Sequence, residues 1–403
     1  MLPLQKLIKI SLLNLLIVSI FGVLLRYKIA FSFPYFDQKY LLHAHSHFAF
    51  SGWVSQTLMV LIISKLIPFL SEKKSSNYYR VILCNLFLAY GMLISFSLQG
   101  YGTISILFST LSIFVTYYFA ILVWKDLKQN NIPYSSRWFK AALVFNVVSS
   151  FGTFYLAYMM INKSIAQDGY LASIYFYLHF QYNGWFLFTC LGLFADRFGQ
   201  YLSTSILKST FWLFFIPCFP LYFLSTLWLP IPNWIYVLIV ISAIIQTVTW
   251  FRFVYFIKTR VFKNNFMNSG LGSKMMVFAA TALSIKILLQ LGSTIPFLST
   301  LAFGFRPIVI GYLHLILLGV ITIFLLGYLL SKEYIQVNKL CNWSILSFSF
   351  AVIFNEMALM VQGVAAFRYI YIPFINEVLF IIALLLFGSL LFLNISQRKP
   401  HAN

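Results

Sequence analysis

Apolar runs of about 20 residues, long enough to cross a hydrocarbon core of about 30 Å as helices, recur along the whole chain. Short polar or basic breaks separate them. The pattern predicts about twelve helices, with cores at 8–25, 43–64, 81–99, 102–124, 141–161, 170–195, 209–228, 232–256, 275–297, 307–330, 342–364 and 373–395. Within each run the apolar positions are continuous rather than alternating, which excludes a membrane β-barrel. The first run ends "IFGVLLRYKIAF" without a small-residue cleavage site, so it is expected to be a retained helix rather than a signal peptide.

Composition fixes the class. With 61% hydrophobic, 20% aromatic and only 9% charged residues among 403, too little polar surface exists to clothe a soluble globule. The expectation is an all-α integral membrane protein. Basic residues set its orientation: with the N-terminus inside, 21 of the 28 Lys and Arg fall on inner segments, six on outer loops, and Lys286 within a helix. This asymmetry obeys the positive-inside rule and places both termini on the cytoplasmic side. The formal net charge of +20 then serves chiefly to hold the inner face to anionic lipid, and with no soluble basic domain a nucleic-acid partner is excluded.

The stretch "LHAHSHFAFSGW" places His43, His45 and His47 at the outer end of the second helix, while His179 and His314 fall in the outer halves of the sixth and tenth. Their neighbourhoods read "HFAFSGW", "HFQYNGW" and "HLILLGV": in each, glycine stands five places after histidine. The separations, 132 and 135 residues, correspond to four helices. Chance accounts for such a coincidence on the order of once in a thousand trials. The repeat predicts three pseudo-threefold-related units of four helices, 1–134, 135–265 and 266–403, with a histidine at one depth in each and a glycine below it that admits close approach. On a helix His43 and His47 share a face and His45 does not.

Twelve helices in arcs of four, with histidines on the second, sixth and tenth near the outer face, resemble subunit I of the heme-copper oxidase superfamily across essentially the whole chain. The resemblance implies that His47, or His43 one turn above it, and His314 are axial ligands of a low-spin heme b. It also implies that His179 is what remains of the copper site. Several family features are missing. The seventh helix, "SILKSTFWLFFIPCFPLYFLSTLWL", has no histidine; Tyr312 stands where a second heme ligand is wanted; and Asn183, beside Tyr182, occupies the place of a frequent tyrosine. A complete oxygen-reducing heme-copper centre is therefore not expected. The implied function is a heme-binding membrane protein with a redox or diatomic-gas role, handling NO or O2, with oxidoreductase activity left open and a redox partner or another membrane subunit as its associate.

Imidazole chemistry supports ligation independently, since a neutral ring binds heme iron, copper or another transition metal while its second nitrogen is held by a carbonyl or hydroxyl. Ser46, Ser51, Gln181, Asn183 and Tyr312 are candidates for that supporting role. Inside the membrane-spanning runs stand Lys286, with Gln290 one turn on, Glu356, and near an outer end Glu377. Lys286 and Glu356 are candidates for an ion pair, a proton relay or a heme-propionate contact. Cys84, Cys190, Cys218 and Cys341 are scattered, with no C-x-x-C-H attachment sequence, so a heme would be noncovalent. His401 lies in the polar tail. Two alternatives use the same residues: a membrane transporter, or a copper- or zinc-binding protein in which the outer-half histidines converge. A structural subunit whose histidines serve as polar glue between helices is a third reading.

Overall fold

The computed structural model describes residues 4–130, 132–162, 166–262, 270–299 and 305–398; His401 and residues 263–269 of the basic segment 257–274 lie outside these. The described residues form twelve long helical stretches: α1 Leu4–Phe31, α2 Gln38–Phe69, α3 Glu72–Gln99, α4 Thr103–Gln129, α5 Ser136–Ile161, α6 at 167–198, α7 Thr204–Cys218, α8 Asn233–Val261, α9 Leu271–Gly292, α10 Arg306–Ser331, α11 Lys339–Phe367 and α12 Ile375–Ser396. Each overlaps one of the apolar cores read from the sequence, the seventh core running on past Cys218 through the 3-10 segment Pro220–Thr226 and the ninth running past Gly292. Ten of them are individually long and apolar enough to cross a membrane. The remaining two explain the difference from twelve: α7 bends by 42° into the 3-10 segment Pro220–Thr226, and α6 carries Asp168, His179, Gln181, Asn183, Asp196 and Arg197. The architecture is compatible with a multi-pass membrane protein. Large side chains on the outer faces agree, with Phe87, Leu98 and Trp343 exposed by 68%, 75% and 71%.

Local chemistry sets the helix ends. Asp37 caps α2, its carboxylate accepting from the backbone of Lys39 at 2.7 Å and Tyr40 at 3.0 Å. Ser71, Ser203 and Asn338 cap α3, α7 and α11 in the same way. After α3 the chain turns at Gly100, whose φ of +58° suits glycine, and a Cβ there would strike the Tyr40 ring. α8 ends in a π-helical turn, Ile257–Phe262, and α9 begins at Leu271.

By packing, the chain divides into two compact units. The first comprises 1–122, 271–276 and 322–403; the second comprises 123–270 and 277–321. In the first unit α12 packs on α11 and α1, and α2 packs on α3 and α1. Gly272 and Gly327 cross so closely that a Cβ on either would lie 2.8 Å from the other's carbonyl oxygen, the small-residue contact by which membrane helices approach. In the second unit the principal pairings are α5 with α6 and α7 with α8. Gly152 on α5 allows the close approach to α6, since its Cβ would meet the Ser173 carbonyl at 2.5 Å.

Candidate functional site

All three histidines of the repeat are followed within two residues by a π-helical segment that contains the repeat's glycine. Ala49–Ser55 follows His47 and holds Gly52; Phe180–Phe186 follows His179 and holds Gly184; Leu315–Thr322 follows His314 and holds Gly319. A π segment widens the helix, displaces backbone hydrogen bonds and occurs disproportionately at functional sites. The widened turns on α2 and α6 share one further feature that the motif as first read does not reach: Thr57 donates to the Trp53 carbonyl at 2.6 Å, and Thr189 to the Trp185 carbonyl at 2.7 Å. The common pattern is thus His-Phe, Gly-Trp and Thr at fixed offsets, and the threonines were visible in the sequence had the comparison been extended four residues.

In the first unit the π turn of α2 is clamped by neighbouring amides. Asn14 on α1 donates to the Gly52 carbonyl at 2.6 Å and accepts from the Tyr90 hydroxyl at 2.8 Å. Asn85 on α3 donates to the Ser51 carbonyl at 3.3 Å and to Gln56 Oε1 at 2.7 Å. Trp53 Nε1 donates to Thr322 Oγ1 at 3.0 Å. Carbonyls displaced from the regular ladder thus find donors, as buried backbone must.

Around this clamp the histidines separate by face. His47 lies flat on Phe96, ring centroids 4.3 Å apart and 13° from parallel, and its Nε2 meets the Tyr101 hydroxyl at 3.1 Å. His43 sets its edge against Tyr101 at 4.5 Å. His45 turns to α1, where its Nδ1 meets the Val18 carbonyl at 3.1 Å and its Cε1 lies where Gly22 leaves room. Ser46 and Ser51 bond the carbonyls of His43 and His47 rather than either ring. Tyr101, absent from the sequence-based candidates, sits just beyond the Gly100 turn, so only the folded turn brings it over the histidines.

The second unit holds a continuous buried chain of hydrogen bonds. Lys286 donates to Asn183 Oδ1 at 2.6 Å and to Gln290 Oε1; Asn183 Nδ2 donates to His179 Nδ1 at 3.1 Å; His179 Nε2 donates to the Cys218 carbonyl at 2.8 Å. The last acceptor exists because of proline. With the helix broken at Pro217 and Pro220, the Tyr222 amide bonds Phe219 instead of Cys218, leaving the Cys218 carbonyl for the imidazole. The chain has a single consistent polarity: an ammonium can only donate, so Asn183 must present its oxygen to Lys286 and its nitrogen to the ring. Both nitrogens of His179 are therefore used within the protein, and a metal there would displace one of these bonds. Gln181 bonds Asn146 at 3.0 Å and Ser149 at 2.8 Å, away from the ring.

His314 donates Nδ1–H to the Ile310 carbonyl at 2.8 Å. This fixes the tautomer that puts the lone pair on Nε2. Tyr312 sits two residues earlier with its ring 6.4 Å from that of Tyr182. Both hydrogen bonds of Lys286 go to amide oxygens where the sequence suggested Glu356, whose carboxylate instead accepts from Asn355 at 3.1 Å. Among the described residues no three His, Cys, Asp or Glu side chains gather as a metal-binding group. Comparison with models of known protein families finds no match, and no curated protein matches the chain.

Proposed function

We propose that this chain is a b-type heme-binding integral membrane protein of heme-copper-oxidase-like architecture, with a redox or diatomic-gas role and no complete oxygen-reducing centre. The observation that carries the reading is the threefold recurrence of histidine, π-helical turn and glycine on α2, α6 and α10. Polar glue between helices needs no such recurrence of a costly local backbone.

His47 and His314 are the residues that would hold the heme iron. The donor chemistry of His314 fits, because its Nδ1–H is tied to a backbone carbonyl, as in ligating histidines generally. His47 fits if the Tyr101 hydroxyl yields its Nε2, and Phe96, Tyr101 and His43 supply aromatic walls of the kind a porphyrin packs against. A bound heme would supply one-electron chemistry and, where one of the two imidazoles gives way, affinity for NO or O2. The chain's own residues hold and orient the two imidazoles, and the clamp of Asn14 and Asn85 keeps the α2 turn rigid. Orientation is part of the proposal: both termini cytoplasmic, with the histidines in the outer half of the membrane.

The test is an optical spectrum of the detergent-solubilised protein, oxidised and dithionite-reduced, with metal analysis of the same sample. A sharp reduced b-type band that vanishes in His47→Ala and in His314→Ala is the expected result. A folded preparation from heme-replete cells that contains no heme refutes the reading.

A further inference from the structure

Lys286 is 1% exposed and carries a charge into the interior of the second unit, yet its two hydrogen-bond acceptors are neutral amide oxygens. An ammonium has three N–H bonds, so one remains without an acceptor among the described residues. The adjacent Gln290 spends its oxygen on Lys286, and its NH2 group likewise has no acceptor there. Gln290 itself is 6% exposed. The spot therefore combines a buried basic side chain with no acidic partner among its hydrogen bonds and unused donors of two kinds on adjacent side chains.

Nor can the ammonium easily retract. Asn183 is fixed by the His179 ring, which is anchored through Nε2 to the Cys218 carbonyl, and that carbonyl is available because of the proline break in α7. The oxygen that holds Lys286 is thus set by three elements, α6, α7 and α9. Burying an unpaired ammonium is costly, and an acceptor bearing negative charge relieves both the electrostatic cost and the missing hydrogen bonds. Nearby cationic metal would aggravate the first.

We propose that the Lys286 ammonium and the Gln290 amide form a binding site for a small monovalent anion in the interior of the second unit, built on the Asn183–His179–Cys218 hydrogen-bond chain. The site stands whether or not heme is bound.

Azide is a suitable probe, because its antisymmetric infrared stretch shifts on binding. The full chain in detergent, titrated with azide, should show a saturable bound band. That band should be lost in Lys286→Met and weakened at least about tenfold in Gln290→Leu, the loss expected for one hydrogen bond to a charged group. It should persist in His47→Ala, the variant that loses the proposed heme. If Lys286→Met does not elute as a folded protein, Gln290→Leu carries the same test. No bound band in the parent protein overturns the proposal. So does a band that survives in Lys286→Met and disappears in His47→Ala, which places the anion on heme iron.

Discussion

The three glycines of the repeat occupy equivalent sequence positions but unequal space, so the same substitution should give three different results. At Gly184 an added Cβ would lie 2.4 Å from the Cβ of Phe145 on α5. Ordinary carbon contacts lie at about 3.5–4.0 Å, and because Phe145 Cβ is fixed to the backbone, α5 or the π turn must move by about 1 Å or more. Phe145 is fully buried, so nothing flexible absorbs the movement. Overpacking of this kind costs about 1–3 kcal/mol, and Gly184→Ala should fall at the upper end. At Gly52 the nearest atoms belong to the Phe48 ring, at 2.6 Å, on the same helix. A ring can tilt, so Gly52→Ala should cost about 1 kcal/mol net of the gain from replacing glycine in a helix. At Gly319 the nearest atoms are Ala282 Cβ at 3.4 Å and Leu315 Cδ1 at 3.5 Å, which is ordinary contact. Gly319→Ala should be neutral or stabilising by up to about 1 kcal/mol. Thermal unfolding followed by thiol labelling suits the comparison. Cys190 and Cys218 are buried in the second unit and react only on opening, while the exposed Cys84 is removed beforehand as Cys84→Ser. Gly184→Ala as stable as its parent, or Gly319→Ala as damaging as Gly184→Ala, would refute the packing argument.

Asn14→Leu strips the Gly52 carbonyl of its donor and the Tyr90 hydroxyl of its acceptor, and should destabilise the first unit by about 2–3 kcal/mol, against about 1 kcal/mol for Tyr90→Phe, in the same thermal assay. Trp53→Phe and Thr322→Val remove opposite ends of one buried hydrogen bond, so a double-mutant cycle should return a coupling of about 1 kcal/mol; strictly additive effects would show that the contact contributes nothing. Tyr101→Phe removes the hydroxyl that meets His47 Nε2 and should leave a reduced b-type band intact, whereas His47→Ala abolishes it; loss of the band in Tyr101→Phe would make the hydroxyl part of the heme site.

Helices were legible because membrane burial demands long apolar runs, and each run in the sequence coincides for most of its length with one helical stretch, the seventh being broken by its prolines. The faces of the α2 histidines were legible too: 3.6-residue geometry alone sends His43 and His47 to one side, where both meet Tyr101, and His45 to another, where it meets Val18. What periodicity could not give was the π turns, since an extra residue in a turn leaves the apolar pattern of a fully hydrophobic helix unchanged. Nor could it give the acceptor for His179, a backbone carbonyl 39 residues away in the chain that the neighbouring prolines make available. The division into two units was hidden for a related reason. Apolar faces in a membrane protein look alike whether they meet lipid or another helix, so the grouping of helices is not written in hydropathy.

The same local device is used differently at its three places, and the differences lie in what surrounds each ring. On α2 the residue four after His47 is Ser51, whose hydroxyl turns back to the His47 carbonyl and leaves the imidazole to aromatic neighbours. On α6 the corresponding residue is Asn183, whose amide reaches the ring and ties it to a buried cation. On α10 it is Leu318, which has nothing polar to offer, and His314 draws its hydrogen bond from the preceding turn of its own helix. One residue position, four after the histidine, thus separates a ring held among aromatics, a ring locked between two polar partners and a ring bonded to the backbone of its own helix. Asn183→Leu makes α6 resemble α10 at that position. It should release His179 Nδ1 and leave Lys286 with Gln290 as its remaining acceptor. By the anion-site argument, azide should then bind more weakly than in the parent protein although Lys286 itself is unchanged. Unaltered azide affinity in a folded Asn183→Leu protein would show that the chain from Cys218 to Lys286 does not hold the ammonium in place.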